Sequence, residues 1–126
     1  MIRRRALRRT PFKRAALARN KFSAKRTEYA GRTYDSKMEA NYAAKLDLLR
    51  MASGRMAGVL SWRPQVHVKL EVNGHLVATY IVDFEVTFAD GHVEYHEVKG
   101  YETETWKLKE KLFRALFPER RLVVIR

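Results

Sequence analysis

The chain has 126 residues, of which 46% are hydrophobic, and this is enough for one domain with a modest core. It contains no cysteine, which excludes disulfides, thiolate zinc sites and a cysteine nucleophile. The net charge of +12 is uneven, because residues 1–37 hold 13 Lys and Arg against two acids, whereas residues 38–126 hold 13 against 12. We therefore expect a basic arm over residues 1–32 and a nearly neutral domain over residues 33–126.

The basic arm has the charge density typical of a segment that binds nucleic-acid phosphates. A disordered solubilising tail or an organellar presequence would have a similar composition. The first ten residues lack the apolar run of a signal peptide, and no stretch approaches the roughly 18 apolar residues of a membrane span. We expect the arm to bind DNA together with two lysines further along the chain. The candidate DNA-binding residues are Arg3, Arg4, Arg5, Arg8, Arg9, Lys13, Arg14, Arg19, Lys21, Lys25, Arg26, Lys37 and Lys107.

The first predicted helix begins after Ser36. A serine followed three residues later by Glu39 is typical of a capping box, in which side chain and main chain satisfy each other's hydrogen bonds. The apolar spacing predicts a helix from about Lys37 to Ala52 that ends at Gly54. We expect its buried stripe to consist of Met38, Tyr42, Leu46 and Leu49.

Three strands are predicted next, joined by two tight turns. The run from Gln65 to Val72 alternates apolar and polar residues, and Asn73–Gly74 is typical of a two-residue hairpin turn. The runs from Leu76 to Phe88 and from Val93 to Lys99 are rich in β-branched and aromatic residues, and a short loop around Asp90–Gly91 separates them. The pattern predicts a three-stranded antiparallel meander.

A second helix and a final strand follow. Thr103 or Thr105 is expected to cap the helix, Pro118 follows its end, and Arg121 to Ile125 has the pattern of a short strand. The predicted fold class is α/β, more narrowly α+β: a helix, the antiparallel meander, a helix and a final strand in a mixed sheet. The expected buried stripe of the second helix is Leu108, Leu112, Ala115 and Leu116.

Two acids and a lysine, Asp83, Glu97 and Lys99, lie near the ends of the second and third predicted strands. If the loop has three residues, Ala89 to Gly91, then Asp83 lies directly opposite Glu97 on the same face. If the loop has two residues, Glu97 lies opposite Phe84 and on the other face from Asp83, a register that apolar matching favours. We favour the first register, because the second buries Glu97 and Lys99 among apolar side chains at a high cost. A bulge would satisfy both patterns.

Opposed carboxylates repel each other, so the favoured pairing costs free energy unless a cation lies between them. Hard oxygen ligands of this kind suit Mg²⁺ or Mn²⁺, and a lysine on the same face is placed to hold a water or a phosphate oxygen. The alternative is an edge-strand charge pair of Glu97 with Lys99, and a solvated strand end at Asp83. The histidines are weaker candidates: His92 and His96 are about 13 Å apart along a strand, too far to share a metal, and are expected to be partly exposed.

The order of elements, with Asp83 on the second strand and Glu97-Val98-Lys99 on the third, resembles the PD-(D/E)XK, or restriction-endonuclease-like, nuclease superfamily. Residues 25–40, together with the runs Tyr80 to Phe84 and Glu97 to Gly100, look like a phage-encoded subfamily of small endonucleases related to Holliday-junction resolvases. The proline in the superfamily's name is absent, since a valine precedes Asp83.

The resemblance implies a Mg²⁺- or Mn²⁺-dependent endonuclease that cuts branched DNA, most typically four-way junctions, in the cytoplasm of a phage-infected or prophage-bearing bacterial host. Asp83, Glu97 and the Val98 carbonyl would ligate the metal. Glu39 would be a further ligand or would orient the water, although a capping box explains a glutamate there without catalysis. Lys99 would activate the water or stabilise the developing phosphorane charge. Two alternatives are a nuclease of the same chemistry acting on linear duplex ends or other recombination intermediates, and a non-catalytic basic DNA-binding protein.

A homodimer is expected, because a twofold dimer presents two identical sites to the two symmetry-related strands of a four-way junction. A single chain carries one such site. Six apolar residues outside the predicted stripes are candidates for the subunit interface, with ordinary core as the alternative for each: Val59, Leu60, Trp62, Trp106, Phe113 and Phe117.

Overall fold

The computed structural model describes residues 25–53 and 58–126, which form an α+β fold. Two compact units divide the chain, Met1–Ala40 and Asn41–Arg126. Neither of the helices in the described ranges is long and apolar enough to cross a membrane. The elements are β1 (Thr27–Tyr29), β2 (Arg32–Tyr34), α1 (Lys37–Ser53), β3 (Val59–Val72), β4 (His75–Phe88), β5 (Val93–Val98), α2 (Glu104–Leu116) and β6 (Arg121–Ile125).

The second unit contains a four-stranded sheet with the strand order β3–β4–β5–β6. The first three strands are successive antiparallel neighbours, whereas β6 lies parallel to β5. A parallel pair needs a crossover connection, and α2 provides it between β5 and β6. The predicted meander, second helix and final strand of a mixed sheet are therefore confirmed.

Both helices begin where the capping residues predicted. α1 starts directly after Ser36, whose hydroxyl oxygen accepts a hydrogen bond from the N–H of Glu39 at 3.1 Å. α2 follows Thr103, whose hydroxyl oxygen accepts a hydrogen bond from the N–H of Trp106 at 3.1 Å. Such caps satisfy N–H groups that have no partner within the helix, which is why these residue types mark helix starts.

The strands agree with the sequence pattern less uniformly. β3 begins at Val59 rather than at Gln65, and the β1–β2 hairpin was not predicted. The turn of that hairpin, Ala30–Gly31, has positive φ at both residues, as does the correctly predicted Asn73–Gly74 turn. The predicted end of α1 at Gly54 lies outside the described residues.

The buried side of α1 matches the predicted stripe only in part, at Leu46 and at the half-buried Tyr42. Ala40, Ala43 and Leu46 are buried, whereas Met38 and Leu49 are exposed. Alanine side chains let a helix approach its neighbours closely, so the small residues face inward and the long apolar side chains near the helix ends lie in solvent.

α2 matches its predicted stripe only in part, since Leu112 and Leu116 pack half-buried against the core. Trp106 and Phe113 are buried, whereas Leu108 and Ala115 of the predicted stripe are exposed. Aromatic rings bury more apolar area than leucine does, so the helix orientation that places both rings on the sheet is favoured. The resulting core consists of Val68, Leu70, Tyr80, Val82, Trp106, Phe113 and Leu122.

β4 changes the face that it presents in the middle of the sheet. Residues two apart in a regular strand share a face, yet Tyr80 and Val82 pack in the α2 core, whereas the ring of Phe84 lies 5.4 Å from that of Tyr42 on α1. On the neighbouring strand β3, Gln65 has a positive φ of 53°, which is rare for a residue with a side chain. Asp83, which lies between Val82 and Phe84, is therefore at the point where β4 changes face.

Candidate metal and catalytic site

The loop between β4 and β5 has three residues, Ala89 to Gly91. The N–H of Phe88 donates to the carbonyl of His92 at 2.9 Å, and the last loop residue has φ 93°, a conformation that favours glycine. The antiparallel register then continues along both strands. Asp83 consequently reaches the position opposite Glu97, so the favoured register is confirmed.

Asp83 and Glu97 are each held by the main chain of the facing strand. The N–H of Val98 donates to Asp83 Oδ2 at 2.9 Å, and the N–H of Asp83 donates to Glu97 Oε1 at 3.2 Å. Side-chain oxygens thus accept bonds that carbonyls accept elsewhere in the ladder, and the regular pairing of the two strands stops at Phe84. Both acids are buried. They meet where β4 and β5 separate.

Lys99 lies between Glu97 and an aromatic ring. Its Nζ is 3.6 Å from Glu97 Oε2 and 5.0 Å from the centre of the Trp106 ring. The negative face of an indole ring attracts an ammonium group, so the ring helps to keep the lysine beside the acid. One lysine next to two carboxylates leaves a negative charge, which suits a divalent cation.

Burial raises the pKa of Glu97 above its ordinary value, and this effect outweighs four that lower it. The lowering effects are the charge of Lys99, the hydrogen bond from the Asp83 N–H, and side-chain hydrogen bonding with Lys99 and with Tyr80. The buried carboxylate is therefore under-compensated as it stands. A bound cation would supply the missing positive charge.

Tyr80 and Trp106 belong to the site, although sequence reasoning did not assign them to it. The indole N–H of Trp106 donates to Tyr80 Oη at 3.1 Å. Burial and the nearby charge of Glu97 raise the pKa of Tyr80, so the phenol keeps its proton. Strand alternation places Tyr80 and Asp83 on opposite faces, and the change of face in β4 brings Tyr80 to the acids. The one feature of the sequence that could have assigned Tyr80 to the site is its position three residues before Asp83.

The residues present fit a hard divalent cation. Asp83 and Glu97 each use one oxygen for a main-chain N–H and have a second carboxylate oxygen, and the carbonyl of Val98 belongs to the same segment. Within residues 25–53 and 58–126, no group of three or more His, Asp or Glu side chains is arranged to hold a metal ion. Mg²⁺ commonly binds through one or two carboxylates and keeps several waters, so a pair of acids is a usable donor set.

Glu39 belongs to the first compact unit, whereas the paired acids belong to the second. It is buried in the first turn of α1, where its N–H donates to Ser36 Oγ. The Ser36 cap is thus confirmed, whereas the part of the Glu39 side chain in a capping box stays a prediction. Its role as a further ligand or water-orienting group stays a prediction.

Most of the candidate DNA-binding residues, from Arg3 to Lys21, lie outside the described residues. Lys107 is half-buried on α2, with its Nζ 3.4 Å from a carboxylate oxygen of Glu104. Contact of any of the candidate residues with DNA stays a prediction. Three others are exposed: Lys25, Arg26 and Lys37.

Near the N-terminal end of β5, several side chains form a hydrogen-bonded network. Glu94 bonds to His92 at 3.1 Å and to His96 at 2.9 Å, and His96 Nδ1 lies 2.6 Å from the hydroxyl oxygen of Tyr42. His92 also bonds to Asp90. The prediction that both histidines are partly exposed is wrong for His96, which is buried because an acid and a tyrosine satisfy its ring nitrogens.

The candidate subunit interface is only partly at the surface. Leu60 is exposed, whereas Trp62 and Phe117 are half-buried. The other residues form the core of the second unit or lie buried beside it, as their large apolar side chains favour, and do not contribute to an interface. These are Val59, Trp106 and Phe113.

Comparison with known proteins yields one match. The model of a family described as "Protein of unknown function (DUF1064)" matches residues 19–126. No curated protein and no solved structure matches the chain. The matched range contains both acids and Lys99.

Proposed function

We propose that this chain, which belongs to the DUF1064 family, is a divalent-metal-dependent DNA endonuclease that cuts branched DNA as a phage Holliday-junction resolvase does. The pairing of Asp83 with Glu97 carries the proposal, because each acid is fixed by a main-chain N–H of the facing strand and Lys99 stands beside them. Two buried carboxylates side by side cost free energy without a cation, so a purely structural role explains them poorly.

Asp83, Glu97 and the Val98 carbonyl would hold the metal. When bound, Mg²⁺ or Mn²⁺ polarises the phosphoryl oxygen and lowers the pKa of a bound water. Lys99 rests on the Trp106 ring with its ammonium group near Glu97. From there it holds the attacking water or a phosphate oxygen and offsets the negative charge that develops on the phosphorane.

The strand order supports a restriction-endonuclease-like assignment. β3, β4 and β5 form the antiparallel meander, α2 crosses over, and β6 adds in parallel to β5. The acids lie on the two adjacent strands β4 and β5, at the point where these separate. This is the arrangement that the resemblance to the nuclease superfamily implies.

The test of the proposal is a side-by-side cleavage assay on four-way junctions, flaps, nicked duplexes and linear duplexes with Mg²⁺ or Mn²⁺. We expect preferential cutting of the junction, no cutting with EDTA, and binding without cutting with Ca²⁺. Preferential cutting of linear ends would favour the alternative nuclease role. Binding of all substrates without any cutting would favour a non-catalytic DNA-binding protein and contradict the proposal.

The basic arm would provide affinity for the phosphate backbone. Residues 2–24 contain nine Lys and Arg and no acid. Deleting them should lower the slope of log affinity against log salt by several units, since each phosphate contact contributes about 0.9 to that slope. We expect the preference for junctions to survive. An unchanged slope would exclude the arm from the DNA interface.

The working unit would be a homodimer that makes paired cuts. Light scattering at micromolar concentration should give the mass of two chains, and wild-type protein mixed with Glu97→Gln should nick a supercoiled cruciform plasmid more often than it linearises it. Each mixed dimer has one competent site, which explains the nick. A strict monomer that cuts both strands with no concentration dependence would contradict the dimer.

A further inference from the structure

Three side chains lie around the carboxylate of Glu97 and are linked to one another: Tyr80, Lys99 and Trp106. Trp106 donates its indole N–H to Tyr80 Oη at 3.1 Å, and hydrogen bonding from Tyr80 is one of the causes that lower the pKa of Glu97. Glu97 Oε2 lies 3.6 Å from Lys99 Nζ, which in turn lies 5.0 Å from the centre of the Trp106 ring. Trp106 therefore acts on the acid through Tyr80 and on the lysine through its ring.

The two aromatic residues are rigidly held. Tyr80 is 2% exposed and Trp106 is 6% exposed, and the Tyr80 ring packs edge-on against Phe113 at 5.7 Å. A Tyr hydroxyl has one proton to donate, and the Trp106 N–H uses an acceptor position of that oxygen. The proton of Tyr80 is thus left for another acceptor, which agrees with the lowering effect of Tyr80 on the pKa of Glu97.

We propose that Tyr80 and Trp106 are positioning residues, which orient the Glu97 carboxylate for a divalent cation and keep Lys99 beside it. The inference rests on the proposed metal-dependent nuclease activity. Groups that hydrogen-bond to a metal ligand fix its orientation, and their loss typically costs about 10-fold to 100-fold in metal affinity. This positioning role also explains why the Tyr80 hydroxyl and the Trp106 indole N–H are buried behind the acids, where apolar side chains would pack equally well.

The test is the affinity of the full chain for Mn²⁺ alone, measured from the electron paramagnetic resonance signal of free Mn²⁺ and by calorimetric titration. Tyr80→Phe removes one oxygen and should weaken Mn²⁺ binding by about 10-fold to 100-fold. Trp106→Phe keeps a ring near Lys99 but removes the N–H donor, and it should also weaken binding. In cleavage assays both variants should lower kcat at a given metal concentration and leave the KM for DNA unchanged.

Tyr95→Phe is the matched control. Tyr95 packs on the same Phe113 ring at 5.6 Å, but its hydroxyl interacts with Glu85 rather than with the paired acids. It should lose a similar amount of thermal stability and keep wild-type affinity for Mn²⁺.

Wild-type Mn²⁺ affinity in both Tyr80→Phe and Trp106→Phe would overturn the inference while leaving the proposed function intact. Equal weakening by Tyr95→Phe would overturn it too, because general loosening of the core would then be the cause. If the wild-type protein itself binds no Mn²⁺, the proposed function fails first and this inference fails with it. Should one variant fail to fold, the other still decides the outcome.

Discussion

Glu94 and Glu97 lie three residues apart on β5, and their pKa values are shifted in opposite directions. Burial acts to raise the pKa of Glu94, but hydrogen bonds with His96 and His92 and the charge of Arg121 bring it below its ordinary value. At Glu97 burial also raises the pKa, and there Lys99 and the neighbouring donors do not offset it. One strand thus carries one carboxylate that its neighbours stabilise and one that they leave under-compensated.

This difference separates structural charge from functional charge. Near the loop, acids and histidines alternate on one face, and Arg121 on β6 lies 3.5 Å from Glu94. Where β4 and β5 separate, Glu97 forms an ion pair with Lys99, whose Nζ lies 3.6 Å from Glu97 Oε2. Carboxylates fixed in position with too little positive charge indicate a site that an added cation completes.

The largest expected effect is on the rate of DNA cleavage, which should depend on the paired acids and Lys99 but not on Glu94. Asp83→Asn, Glu97→Gln and Lys99→Ala should each reduce cutting by roughly 100-fold to 1000-fold, because a charge is lost from an electrostatic site, while DNA binding persists. Glu94→Gln, on the same strand, is the control and should keep its rate within a few-fold. Gel assays of junction cleavage and binding measure both. Undiminished cutting by Asp83→Asn or Glu97→Gln would sink the site assignment.

A second contrast is the response of thermal stability to metal. At a Mn²⁺ concentration about 100 times the dissociation constant, binding stabilises the folded state by about 2.7 kcal/mol, which corresponds to a rise in Tm of roughly 10 °C or more for a small domain. Wild-type protein and Glu94→Gln should show this rise in a thermal melt, and Glu97→Gln should not. An equal rise in all three would mean that the metal binds elsewhere.

In EDTA, where no metal is bound, the wild-type protein should lose its higher Tm relative to Glu97→Gln. Glu97→Gln removes one of two adjacent buried carboxylates, so we expect it to melt no lower than the wild-type protein. A clear fall in Tm would show that Glu97 stabilises the fold by itself. The contrast between a metal-site acid and a structural acid would then be lost.

The smallest expected effect is the pH dependence at the loop end. Hydrogen bonds to Asp90 and Glu94 raise the pKa of His92, and bonds from His92 lower the pKa of Asp90. The contribution of His92 is fully present below its ordinary pKa of 6.5 and is lost as the pH rises through the folded value. The contribution of Asp90 to stability is fully present above its ordinary pKa of 3.8 and is lost as the pH falls through the lower folded value. Stabilisation is therefore greatest between these two values.

His92→Gln should accordingly lower Tm most at about pH 5.5 and less at about pH 8. Melting curves of both proteins in EDTA measure the difference. A larger difference at the higher pH would contradict the sign of the His92 shift.

Local chemistry in the sequence was enough to predict several features. Ser36 and Thr103 marked the helix starts, because their hydroxyl oxygens satisfy N–H groups within three residues. Asn73–Gly74 and the loop ending at Gly91 predicted their turns, because positive φ favours these residues. Once the loop length is set, the register follows, and so does the placement of Asp83 opposite Glu97.

Which side of a helix is buried was not predictable from spacing alone. Both helices offer more than one apolar stripe, and the choice depends on the shape of the surface that each one meets. α2 buries Trp106 and Phe113 rather than Leu108, and α1 buries Ala43 rather than Leu49. Packing of whole side chains, which involves residues distant in sequence, decides between such stripes.

The sequence by itself therefore determined the order of the elements from α1 onward, the Asn73–Gly74 turn and the helix caps, and it favoured the pairing of the two acids while leaving the loop length open. Only the tertiary structure decided what surrounds those acids. β4 changes face beside Gln65 of β3, so Tyr80 joins the side of Asp83 although alternation separates them, and α2 places Trp106 between Tyr80 and Lys99. The physical reason is range: caps, turns and register depend on neighbours within a few residues, whereas a change of strand face and the rotation of a helix are set by close packing across the whole core.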